Sequence, residues 1–230
     1  MRTNSRRSLS KGAGVLFTIL LLAAPVLAGP PLICHAINIG SAQSLPWSAD
    51  GWNLSGSENY DVNHLVSDTL ALLNPQTTVL VRMETMRRAT LYAQGNPQIA
   101  KELVLRLKAR TSENERDALA AFDFGYLIEC YRQAGIAAKY GMLHNSLQQL
   151  VASVDGYDWV KKAIAMRGED ASMEFAAALI TSEVAQQDRA GHLQKALAGS
   201  KGDALLAANL ESRFGNTSLA GHLAPTMAKN

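Results

Sequence analysis

From Asp61 onward the chain repeats apolar residues at three- and four-residue spacing, and residues that stop helices cut the repeat at short intervals. Val62, Leu65, Val66, Thr69, Leu72 and Leu73 trace one face of a helix. Asn74-Pro75 ends it, because the residue before a proline avoids the helical region. Thr77 or Thr78 can cap a second helix, whose face runs through Val79, Met83, Met86, Thr90 and Ala93. Asn96-Pro97 starts a third with a cap and a proline at the first position, where its missing N–H is harmless; Ile99, Leu103 and Leu107 form its stripe. Ser112-Glu113-Asn114-Glu115 reads as a capping box opening a long helix that closes at Gly135. Along that helix Ala118, Ala121 and Gly125 would let a neighbour approach closely. Further helices are predicted over about 142–154, 157–167, 171–186, 189–198 and 203–214, with glycines between them.

Helices joined by short connections must pack antiparallel. The expectation is therefore an all-α domain over 61–218, with antiparallel helix pairs stacked as a bundle or short irregular α-solenoid. A frayed tail follows at 219–230. No fixed repeat period separates the two architectures.

Residues 29–60 are different. They are rich in Gly, Pro, Ser and Asn, lack a helical period, and predict a non-helical N-terminal arm anchored by Trp47 and Trp52. Residues 1–28 read as a cleavable signal peptide. Arg2, Arg6, Arg7 and Lys11 form a positive region, Val15–Ala24 an apolar one, and Val26-Leu27-Ala28 a peptidase site before Gly29. Pro25, Gly29, Pro30 and Pro31 break the apolar run before the about 20 residues a retained span requires. The expected location is periplasmic or extracellular. Cleavage would remove four positive charges, taking the formal charge from +2 to −2. No basic run remains to mark a nucleic-acid partner.

The stretch Ala118–Gly135 (ALAAFDFGYLIECYRQAG) resembles one helix of a tetratricopeptide-type repeat in its aromatic residues and Gln-Ala-Gly ending, although Ile128 stands where that repeat has a small residue. Pro30-Pro31-Leu32-Ile33-Cys34-His35, Ile39-Gly40-Ser41, Leu45-Pro46-Trp47 and Val81-Arg82-Met83-Glu84-Thr85 resemble the mature N-terminal part of exported helical proteins of soil bacteria. That resemblance implies export and helical content, and carries no catalytic residue.

Candidate chemistry is sparse. Arg82, Glu84, Arg87 and Arg88 share one helix, with Glu84 three and four residues before the last two arginines. They form either a ligand-binding group for an anion or peptide carboxylate, or a set of helix-surface ion pairs. Cys34 and Cys130 are a candidate disulfide that would close a loop of roughly a hundred residues and add about 4–5 kcal/mol; each is equally readable as a packed thiol. His64 precedes Asp68 by one turn and reads as a weak surface pair, while His144, His192 and His222 read as isolated. Asn53 and Asn216 begin glycosylation sequons. No catalytic residue, metal-ligand set or cofactor motif is identified. The leading expectation is a protein- or peptide-binding helical protein. The alternative is a secreted hydrolase whose site assembles only in three dimensions.

Overall fold

The computed structural model describes residues 29–48, 54, 56–141, 147–168 and 170–215. Trp52, His144, His222, Asn53 and Asn216 of the sequons, the leader and the tail lie outside the described residues. Within them are α1 (Leu65–Leu72), α2 (Val79–Ala93), α3 (Pro97–Glu113), α4 (Ala118–Lys139), α5 (Gly156–Arg167), α6 (Ala171–Ile180), α7 (Arg189–Gly199) and α8 (Ala204–Phe214), with no strand. None of these helices is long and apolar enough to cross a membrane.

Local chemistry sets most helix starts. Asn96 accepts a hydrogen bond from the Ile99 N–H, with Pro97 at the first helical position. Asp117, Asp155, Asp170 and Asp203 each place a carboxylate oxygen on N–H groups of the turn they precede, opening α4, α5, α6 and α8. The capping box expected at Ser112 does not form. Ser112 and Glu113 finish α3 instead, Asn114 accepts from the Arg116 N–H in a tight turn, and Asp117 is the cap. Nor does Gly135 end α4, which runs on to Lys139. Its glycine serves packing, since a Cβ there would lie 2.7 Å from Gln148 Cβ. The helix expected over 142–154 is, in its described part, a single 3-10 turn at Gln148–Val151. α6 stops at Ile180, where Thr181 Oγ1 donates back to the Ala177 carbonyl and Ala185 then turns into the left-handed region at φ 48°.

Two helices decide the architecture. α2 and α4 are buried around nearly their whole circumference, as a helix surrounded by others must be. α4 packs on α2, α3, α5 and α6, and α2 on α1, α3, α4 and α6. A solenoid unit meets only its neighbours in sequence, so the stacked helices form a bundle around an α2–α4 centre. α4 and α5 cross closely at Gly125 and Gly156. A Cβ on Gly125 would lie 2.6 Å from the Gly156 carbonyl oxygen, and one on Gly156 2.5 Å from that of Gly125. Glu129 secures the same crossing by accepting from the Tyr157 N–H at the start of α5 (3.1 Å).

The described part of 29–60 has no helix. It belongs to the core nonetheless: Leu32, Ile33, Ile37, Ile39 and Leu45 are all buried.

Candidate functional site

The arm lies on side chains of α2, α4 and α8 that bind its main chain. Gln133 accepts from the Leu32 N–H (2.8 Å), and Arg87 donates to the Ile33 carbonyl (3.1 Å). Arg213 donates to the carbonyls of His35 (2.6 Å) and Ala36 (2.9 Å). Glu84 accepts from the Ile37 N–H (2.8 Å). Asn209 takes both main-chain groups of Asn38, accepting from its N–H and donating to its carbonyl, each at 2.8 Å. Arg88 donates to the Leu45 carbonyl (2.5 Å). At the far end Trp47 meets Tyr92 edge-on at 5.5 Å between ring centres, and the Arg87 guanidinium lies 5.0 Å from the Trp47 ring centre.

The charged group read from the sequence is thus brought together, but inside the protein. Glu84 is its hub. Arg87 Nε and Nη2 reach its two oxygens, each at 2.9 Å, and Arg88 Nε reaches Oε1 at 2.7 Å. The expected three- and four-residue ion pairs therefore exist. Glu84 and Arg87 are buried and Arg88 is partly so, and all three bond the arm. Arg82 takes a different partner. Its Nη1 meets Asp123 of α4 at 2.5 Å, Nε donates to the Thr77 carbonyl, and Nη2 donates to that of Asn74. Arg110 also reaches Asp123, at 3.4 Å. Burial pushes the Asp123 carboxyl up to about 6, against the pull of Arg82 and Arg110.

Cys34 and Cys130 are free thiols and both are buried. Burial raises both thiols, outweighing the opposing effects of Arg87 and Arg213 on Cys34 and of Arg87 on Cys130. Neither is an activated thiolate. His64 is exposed, and Asp68 accepts from the Tyr60 hydroxyl at 2.9 Å.

A second constellation involves none of the residues singled out by sequence motifs. Tyr157 Oη lies 3.0 Å from Asp188 Oδ2 and 2.6 Å from His192 Nε2. His192 Nδ1 lies 2.5 Å from Glu174 Oε2, and Lys195 donates to Glu174 Oε1 at 3.1 Å. Burial, with the hydrogen bond to Asp188 next, raises the Tyr157 phenol. Its single proton cannot serve both neighbours. His192 links the Tyr157 oxygen to Glu174 through its two ring nitrogens. Such a chain fixes the Glu174 carboxylate. It does not present a nucleophile, because Tyr157 is buried with its oxygen engaged on both sides.

His192 was expected to stand alone and does not. Asp188 four residues before it and Lys195 three after were visible in the sequence. Glu174 and Tyr157 come from α6 and α5, at separations no local pattern reveals. Among the described residues no three His, Cys, Asp or Glu side chains converge as metal ligands. No family model matches the chain, and neither a curated protein nor a solved structure matches it significantly.

Proposed function

We propose that this protein is exported and binds polypeptides, holding the main chain of a non-helical segment as its helical body holds residues 30–45. One observation carries the reading. Eight main-chain groups of the arm, from the Leu32 N–H to the Leu45 carbonyl, are bonded by side chains of the body. Main-chain groups are common to every peptide, so such a surface recognises a turned, non-helical backbone and leaves specificity to the pockets filled by Leu32, Ile33 and Ile37. Buried charges as hydrogen-bonding partners make those contacts strong. The export half rests on the positive and apolar regions and the Val26-Leu27-Ala28 site of the leader.

The test uses the chain beginning at Gly29 with its own arm loosened by Ile37→Glu, and a fluorescent peptide of sequence 29–46. Saturable anisotropy binding is expected, competed by unlabelled peptide but not by one N-methylated at Ile37 and Asn38, which lacks those two donors. No binding to a folded loosened chain, or equal competition by the N-methylated peptide, would reject the reading.

A further inference from the structure

Between α5, α6 and α7 lies a cavity of about 500 Å³, within the range of about 300–1,000 Å³ usual for small-ligand sites. Its apolar wall is Ile164, Ala165, Ala171 and Ala198, whose mostly short side chains leave the space open. The charged groups among its described lining residues are Glu174 and Lys195. They differ in kind. The Glu174 side chain is 4% exposed and pinned at Oε2 by His192, itself held by Tyr157. The Lys195 side chain is 66% exposed and touches Glu174 only at Oε1.

We propose that this cavity binds a small primary amine with an apolar body. Its ammonium sits at Glu174 Oε1 in place of the Lys195 ammonium, and its body lies on Ile164, Ala165, Ala171 and Ala198. A lysine ammonium already occupies that position, so a cation fits there by size and by hydrogen-bond geometry. The exchange conserves charge: one ammonium replaces another beside a buried carboxylate, and the Lys195 side chain, already mostly exposed, returns to solvent. An anionic ligand meets the opposite balance. Drawn to Lys195, it would bring a second negative charge against a carboxylate that water scarcely reaches. The His192–Tyr157–Asp188 chain supplies the rigidity a binding anchor needs, holding the carboxylate in one orientation before the ligand arrives. This site is separate from the surface that holds the arm and does not depend on the peptide-binding reading.

Titration with 4-phenylbutylamine and 4-phenylbutyrate, which share a body and differ in head group, tests it by calorimetry and amide NMR on the chain beginning at Gly29. The amine should bind saturably and shift the amides of Ala171, Glu174 and Ala198, and the acid should not. Glu174→Gln should weaken amine binding by about tenfold or more, the value of a hydrogen bond to a charged group. Lys195→Met, at an exposed side chain that leaves the fold intact, should hold or raise amine affinity. Ala198→Trp should abolish binding by filling the cavity. Equal or stronger binding of the acid, no saturation by the amine, or a tenfold loss in Lys195→Met would overturn the proposal.

Discussion

Replacing Glu84 by Gln tests whether the arm is held as the structure implies. The carboxylate receives one hydrogen bond from the Ile37 N–H, two from Arg87 and one from Arg88. Bonds to charged groups contribute about 1.5–3 kcal/mol each, which bounds the gross loss at about 6–12 kcal/mol for four. The net loss is smaller. The Gln carbonyl still accepts from one side, and Arg88, with 18% of its side chain exposed, can turn towards water. Arg87 has no such escape at 3% exposure and becomes a buried cation without its counter-charge. Removing one partner of a buried pair costs about 3–5 kcal/mol, and that is the expected magnitude here. The loss should appear first in the arm, because Ile37 and, through Arg87, Ile33 are bonded to this group. Hydrogen exchange followed by mass spectrometry should show protection in 30–46 falling by roughly 10²–10⁴-fold. Peptides from α3, which contributes none of these hydrogen bonds to Glu84, should change less. A tenfold or smaller effect in the arm, or an equal effect in the arm and α3, would refute the reasoning.

Two further predictions concern the bundle. The folded-state value for Asp123 is raised to about 6 from 3.8, so the folded chain binds this proton more tightly than the unfolded chain. The resulting stabilisation is full below about pH 4 and is lost as pH rises through 6; it amounts to about 3 kcal/mol. Stability from urea melts should fall by about 2 kcal/mol of this between pH 4.5 and 7 in the native chain, and that fall should vanish in Asp123→Asn; an unchanged slope in the variant would contradict the assignment. Gly125→Ala should destabilise by about 1–3 kcal/mol in urea melts, because its Cβ meets the Gly156 backbone and the overlap outweighs the gain of about 1 kcal/mol in helix propensity; a stabilised variant would show that the α4–α5 crossing is looser than described.

Much of the secondary structure was legible because it is local. Asn96-Pro97 and Asn74-Pro75 act within a few residues of themselves, and α3, α5, α7 and α8 fall close to their expected ranges. Two local signals misled. Ser112 and Glu115 have the spacing of a capping box, yet Thr111 is buried and α3 continues past it through Glu113, leaving Asp117 as the cap. Gly135 has the composition of a helix end, but the closeness of Gln148 gives it a packing role. The pairing of Glu84 with Arg87 and Arg88 was legible from their spacing, while its burial was not. A helix buried on every side has little apolar periodicity, so its charges resemble a solvent face.

The sequence by itself determined that the domain after Asp61 is helical, where most of its helices begin, and that the described part of 29–60 is not helical. These follow from dihedral preferences, capping and periodicity, which act over a few residues. Tertiary structure alone decided that α2 and α4 form the centre, that Arg82 pairs with Asp123 41 residues away, and that Arg213 and Asn209 hold an arm more than 170 residues earlier. It also joined Tyr157, Glu174 and His192 beside one cavity. Such pairings depend on which buried polar groups find partners when whole helices pack, and that condition belongs to the assembled core rather than to any stretch of sequence.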